Sequence, residues 1–153
     1  MTRKVLRCAI GLASFTLAIA IAGCTTVSPD GAVKTRTSAD DLRCTLPTNC
    51  VSSQNSTGVG PLAFAGTNVE GLAQLRASLQ SFPEATVESV TETSLVAIFT
   101  TPAGFRDTVE FRVDAMAHRI DFRSQSGFGL YDFGKNRARM TAFATRFGQI
   151  AKP

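Results

Sequence analysis

The stretch that decides the fold is "RDTVEFRVDAMAHRIDFRS", Arg106 to Ser124. In its first half Val109, Phe111 and Val113 alternate with Thr108, Glu110, Arg112 and Asp114. In its second half Ile120 and Phe122 alternate with Arg119, Asp121 and Arg123. A period of two with one apolar and one polar side marks antiparallel strands that bury a single face. Charge then chooses the register. A two-residue turn sets Arg112 opposite Arg119 and Glu110 opposite Asp121, two repulsive pairs. A four-residue loop, Ala115 to His118, sets Asp114 opposite Arg119, Arg112 opposite Asp121, Glu110 opposite Arg123, and Phe111 beside Phe122. Unlike charges directly opposite are favoured and like charges disfavoured, so the second register is predicted.

Working outward, "ATVESVTET" (85–93) and "SLVAIFTT" (94–101) read as two further strands. "LVAIF" is apolar on both faces. Either it is a central strand flanked by long side chains, or Val96 and Ile98 form an exposed stripe that a partner covers. Before these strands, Thr67 and Glu70 have the spacing of a capping box, and Leu72, Leu75, Leu79 and Phe82 form one helical stripe that ends before Pro83. After them, "KNRARMTAFATRFGQI" (135–150) carries a core stripe of Met140, Phe143, Ala144 and Phe147, with Lys135, Arg139 and Arg146 grouped opposite. The order helix, four strands, helix predicts a two-layer α+β domain: a roughly four-stranded antiparallel sheet with both helices on one face.

The chain opens "MTRKVLRCAIGLASFTLAIAIAGC". Arg3, Lys4 and Arg7 precede an uncharged run, Cys8 to Ala22, that is shorter than the ~20 residues of a membrane-spanning helix. It fits the h-region of a secretory signal and ends in Ile21-Ala22-Gly23-Cys24, a lipobox. Residues 1–23 are therefore expected to be removed as a signal peptide. Cys24 is expected to take the acyl chains, palmitate among them, that anchor the protein to a membrane. This places it in the bacterial cell envelope, facing the periplasm, and Thr25 in place of an acid after the cysteine reads as the outer-membrane address. Residues 24–43, rich in Thr, Ser, Asp, Pro and Gly, read as a flexible tether with an end-to-end distance of about 25 Å. Residues 44–150 read as one globular domain.

The formal charge of +4 could point to nucleic acid, but the leader holds three basic and no acidic residues. Without it 13 basic residues face 12 acidic ones, a net of +1, and no nucleic-acid partner is expected. The remaining charge is asymmetric: residues 24–105 sum to −3 (4 basic, 7 acidic) and residues 106–153 to +4 (9 basic, 5 acidic). Of the four cysteines, Cys44 and Cys50 remain in "CTLPTNC" and are expected to form a disulfide. A zinc site is the alternative, but it lacks a second pair of ligands and the only histidine, His118, is distant in sequence.

"GLYDFGKN", Gly129 to Asn136, has the Gly-x4-Gly-Lys spacing of a phosphate-binding loop. Asn136 stands where magnesium requires Ser or Thr, and Leu130, Tyr131 and Phe133 are too large for backbone N–H groups to wrap phosphate. No nucleotide and no other cofactor is expected. The glycines instead let the chain turn while Phe128, Tyr131 and Phe133 cover the open end of the core, and Asp132 or Asn136 caps the helix.

"CTLPTNCVSS", "GFRDTVEFR" and "RSQSGFGLYDFGKNRAR" resemble, in order and spacing, the bacterial domain-of-unknown-function family 1499. The resemblance runs from Cys44 to Phe147. Cys44, Cys50, Ser52, Asp107, Glu110, Arg123, Ser124, Ser126, Asp132, Gly134, Asn136 and Arg139 match its pattern. Thr108 stands where a second acid is common and Gly127 where an arginine is common. The resemblance implies a small envelope protein, often lipidated, and lends no mechanism.

Three roles are open for the polar residues. A membrane-tethered, non-enzymatic module binds an envelope protein or ligand. A hydrolase uses Ser124, or Ser126, Ser52 or Ser53, or the carboxylates Asp107 and Asp132. Against a Ser–His arrangement, His118 lies about 20 Å along the strand from Ser124. Finally, Glu110, Arg123, Asp132, Asn136 and Arg137 form a hydrogen-bonded network that pins the 127–134 loop over the sheet. Asp107, Glu110, Arg123, Ser124, Asp132, Asn136 and Arg137 are therefore the candidate network or binding residues.

Overall fold

A computed structural model describes residues 42–55 and 58–150; the expected leader, Cys24 and the tether up to residue 41 lie outside the described residues. In chain order the elements are β1 (Cys50–Ser52), β2 (Leu62–Ala63), α1 (Asn68–Leu79), β3 (Ala85–Val90), β4 (Ser94–Thr100), β5 (Arg106–Asp114), β6 (Arg119–Ser126) and α2 (Lys135–Ile150). The sheet is antiparallel in the order β1-β6-β5-β4-β3, with β2 also on β6. Six strands therefore replace the four expected. The two additional ones are three and two residues long, too short to carry an alternating pattern, and both extend the free edge of β6.

The β5–β6 hairpin has the register that charge selects: Asp114 opposite Arg119, Arg112 opposite Asp121, Glu110 opposite Arg123, Phe111 opposite Phe122. Asp114 accepts the Ala117 N–H at 2.9 Å, and His118 closes the loop with φ 51°. In α1, the Thr67 hydroxyl accepts the Glu70 N–H at 3.3 Å while the Glu70 carboxylate accepts the Thr67 N–H at 2.7 Å. Those reciprocal bonds satisfy two of the donors a helix start leaves open, and they hold the Glu70 carboxyl below its ordinary range.

Both helices lie on one face of the sheet. Leu72, Leu75 and Leu79 of α1 and Met140, Phe143 and Phe147 of α2 are buried against Leu95, Phe99, Val109, Phe111, Ile120 and Phe122. The Phe143 ring centre lies 4.9 Å from that of Phe111 and 5.6 Å from that of Phe82. Burying such rings supplies most of what holds the layers together, at roughly 25 cal/mol per Å² of apolar surface. β4 is flanked by β5 and β3, and Ile98, on the face away from the helices, is buried while Val96 is half-buried. The doubly apolar strand is thus an interior one, and of the stripe expected as an alternative only Val96 is partly open to solvent.

Cys44 and Cys50 are joined by a disulfide. Packing is already in place at Leu42, which is buried and donates its N–H to Gln54. No helix among the described residues is long and apolar enough to cross a membrane.

Candidate functional site

Alternation along β5 and β6 turns Val109, Phe111, Ile120 and Phe122 toward the helices. The same side ends in Asp107, Ser124 and Ser126, so the apolar layer gives way to a polar one where Asp107 pairs with Ser126. Over that end lies the first turn of α2. Asn136 is wholly buried there and uses its whole amide. Its nitrogen donates to the Asn49 carbonyl at 3.0 Å, to Ser126 Oγ at 3.0 Å and to Asp132 Oδ2 at 2.8 Å. Its oxygen accepts from Ser124 Oγ and from Arg139 Nη1, each at 2.6 Å. Arg139 continues the chain of contacts: Nη1 also donates to Ser124 Oγ at 3.2 Å and Nη2 to Asp107 Oδ2 at 2.5 Å, while the guanidinium sits 4.9 Å from the Phe99 ring centre. The apolar core is closed at this end by a polar plug.

The plug fixes the loop outside it. Thr48 Oγ1 donates to the Leu130 carbonyl at 2.5 Å, the Asp132 N–H reaches the Thr48 carbonyl at 3.1 Å, and Asn49 Nδ2 donates to the Gly129 carbonyl at 2.6 Å. Asn49 Oδ1 is the one buried side-chain polar atom without a partner among the described residues. Asp132 accepts the N–H of Gly134 at 2.9 Å and that of Asn136 at 2.8 Å. Burial would raise its carboxyl, but the N–H groups of Asn136 and Gly134 and the Asn136 amide outweigh that and hold it low. Gly127 donates its N–H to the Arg106 carbonyl at 3.1 Å, and a Cβ at Gly127 would collide with that oxygen. In this chain the backbone approach is close enough to leave no room for a side chain at 127.

Between this loop and the β4–β5 turn lies a cleft of about 260 Å³, with Asp107, Ser126 and Asp132 among its polar lining and Phe105, Phe128, Tyr131 and Phe133 among its aromatic lining. Those rings do not cover the core, as the loop's composition had implied. Phe128 is 77% exposed, Tyr131 61% and Phe133 83%. The core's end is already plugged by polar side chains, so the rings have no apolar surface to cover. They pair with one another instead: Phe105 and Phe128 are stacked at 5.9 Å, and Tyr131 meets Phe133 edge-on at 5.0 Å.

The structure brings Asp107, Ser124, Asp132 and Asn136 together and places Glu110 and Arg123 apart from them. Glu110 and Arg123 are directly opposed and ion-paired, but on the face of the sheet away from the helices, because each is an odd number of residues from Asp107 or Ser124. Arg137 is exposed on α2. Arg139, which is not among the expected network residues, is bonded to Ser124, Asn136 and Asp107. It stands three residues from Asn136, at the flank of the core stripe, and its long stem curls inward rather than joining Lys135 and Arg146 outside. That spacing was the signal available for it. Asn49 had none, since nothing local ties it to a helix 87 residues later.

Asp132, and not Asn136, caps α2. Ser53 donates to Asp121 at 2.9 Å and Ser52 is buried in β1. Ser124 is fully buried with its hydroxyl donating to an amide, and His118 is at the opposite end of β6. No group of three or more His, Cys, Asp or Glu among the described residues is placed to hold a metal ion.

A family model described as a protein of unknown function (DUF1499) matches residues 42–147, more than two thirds of the chain. No curated protein and no solved structure matches it.

Proposed function

We propose that this chain, which belongs to the DUF1499 family, is a bacterial envelope lipoprotein whose folded head is a non-enzymatic binding or structural module. Residues 1–23 are removed, Cys24 carries the acyl anchor, and the head works in the periplasm on the end of its tether, with the outer membrane as its address. The Cys44–Cys50 disulfide supports an oxidising compartment.

One observation carries the reading of the head. The polar residues that resemble a reactive cluster are spent on one another and on the backbone, and what they hold in place is a loop of outward-facing aromatic side chains. Buried, mutually satisfied groups fix shape, whereas exposed apolar groups on a fixed loop make a surface for recognition.

The hydrolase alternative makes the opposite demand. A nucleophile needs a base within hydrogen-bond reach, and Ser124 faces an amide oxygen and a guanidinium instead. Asp107 is bound to Arg139, and Asp132 has its carboxyl held low, the wrong direction for a general acid near neutral pH.

Two measurements test the proposal. Incorporation of a palmitate analogue that disappears in Cys24→Ser establishes the anchor, and an unmodified residue 24 still joined to Gly23 refutes it. Labelling by serine-reactive probes that disappears in Ser124→Ala overturns the non-enzymatic reading.

A further inference from the structure

We infer that the loop from Gly127 to Gly134 docks on the lipid bilayer, its rings entering the interfacial layer beside the anchor. The inference rests on the lipoprotein reading for its geometry, and it names the partner of the surface described above.

Three observations point to lipid. The first is composition and exposure: Phe128, Leu130, Tyr131 and Phe133 all stand more than half exposed on one eight-residue loop, and Phe105 stacks on Phe128 from the neighbouring turn. Apolar patches of this kind mark interaction surfaces, and aromatic rings with one polar tip are favoured where acyl chains meet headgroups. The second is charge. Asp132 is the loop's sole charged residue, and both its oxygens are turned back onto the N–H groups of Gly134 and Asn136. The tip therefore presents no open carboxylate, while Lys135 and Arg137 follow it directly on exposed positions of α2. Apolar tip with basic shoulder is the order of layers in an anionic membrane: hydrocarbon below, phosphate above.

The third is where the rest of the chain arrives. The described residues begin at Leu42, and within seven residues Thr48 and Asn49 are hydrogen-bonded to Gly129, Leu130 and Asp132. Leu42 and Cys44 are first held by Gln54 and Asn55, and the chain then runs on to the aromatic loop, so the stretch that follows the tether is tied to that loop. An acyl anchor on a tether of about 25 Å keeps the head, and this loop with it, within reach of the membrane surface. Phe133 adds a local sign of the same purpose. It is held at φ 54°, a conformation that bulky residues avoid, and that conformation leaves its ring in solvent.

The chain has one tyrosine, Tyr131, and no tryptophan, so the tyrosine emission of the unaltered protein comes from this loop alone. The test uses the full processed protein, with acylation of Cys24 first read by mass. It is reconstituted in vesicles of phosphatidylethanolamine and phosphatidylglycerol that carry a nitroxide on the lipid acyl chain. Docking predicts strong nitroxide quenching of Tyr131 together with protection from a water-soluble quencher. Both effects should be lost in F128S/F133S, which remains anchored and folded because neither ring is buried. Tyr131 that stays open to the aqueous quencher in the anchored protein overturns docking while leaving the anchor intact. If Cys24 proves unmodified, the anchor reading fails, and the same quenching by vesicles added to that protein upholds docking by itself. Protection by dispersed fatty acid without vesicles assigns the cleft to a single acyl chain and overturns the bilayer as partner. Protection in native membranes but not in pure lipid assigns the loop to a protein and overturns it equally.

Discussion

Asn136 in the first turn of α2 donates its amide to the Asn49 carbonyl at 3.0 Å, tying the disulfide-closed segment to a helix 87 residues later. The same side chain bonds Ser124, Ser126, Asp132 and Arg139. Removing it leaves several buried groups unpaired at once, and each such group costs about 1–3 kcal/mol. Asn136→Ala should therefore destabilise the domain by about 3 kcal/mol in chemical denaturation, with loss of protection of the Asp132 amide in hydrogen exchange. Asn136→Asp should be nearly as damaging, because it places an acid beside Asp132 and removes the donors.

Arg139 and Asp107 form a pair whose side chains are only 11% and 5% exposed. Breaking one partner of such a pair strands the other charge, at about 3–5 kcal/mol, whereas replacing both with apolar side chains is often neutral. Arg139→Met alone should cost about 3 kcal/mol, and the double variant Arg139→Met with Asp107→Leu should recover much of it. A lysine at 139 should not rescue fully, since it cannot hold Asp107, Ser124 and Asn136 while lying over Phe99.

Arg123 and Glu110 pair on the other face of the sheet. Arg123→Ala should lower the melting temperature, and combined with Asn136→Ala its effect should add within about 0.5 kcal/mol. Asn136→Ala with Arg139→Met should be clearly non-additive, because those two share Ser124. Coupling between Arg123 and Asn136 of the size found within the plug would contradict this division.

Much of this was legible in the residues. Alternation and charge specified the β5–β6 register, and spacing gave the cap and stripe of α1. The separation of Glu110 and Arg123 from the plug was also implicit. Alternation already placed them with the polar side of the hairpin, while Asp107 fell in step with Val109. What stayed hidden depends on distant chain segments meeting. β1 and β2 are too short to show a period, and Asn49 meets its partners only after the sheet forms. The outward turn of the aromatic loop was hidden for a related reason. Rings in a loop read as cover for a core until one sees that Asn136, Arg139 and Asp107 have closed that core already.

Phe133 should illustrate stability set aside for function. An L-residue in the left-handed region costs about 1–2 kcal/mol relative to glycine, and this side chain is 83% exposed, so little packing offsets that cost. Phe133→Gly should raise the melting temperature by about 5 °C, reduced by loss of the Tyr131 contact, while weakening association with vesicles. A lower melting temperature would mean that the ring stabilises the loop more than its backbone strains it.

Asp132 gives the plug a pH dependence whose sign follows from its bonds. The native carboxyl is held below its ordinary value of 3.8. A group whose native pKa is depressed contributes stability that is fully present above the unfolded value and disappears as pH falls through the native one. The wild-type advantage over Asp132→Asn should then be constant from neutral pH down to about 5 and shrink below about 4, where the unfolded chain takes up the proton first. The variant keeps one accepting oxygen but turns an amide nitrogen toward the other N–H, so the advantage at neutral pH includes a lost cap bond and only its pH-dependent part reports the carboxyl. Thermal unfolding of both proteins between neutral and acid pH checks it. An advantage that grows on acidification would mean that desolvation, the opposing influence at this carboxyl, has the upper hand.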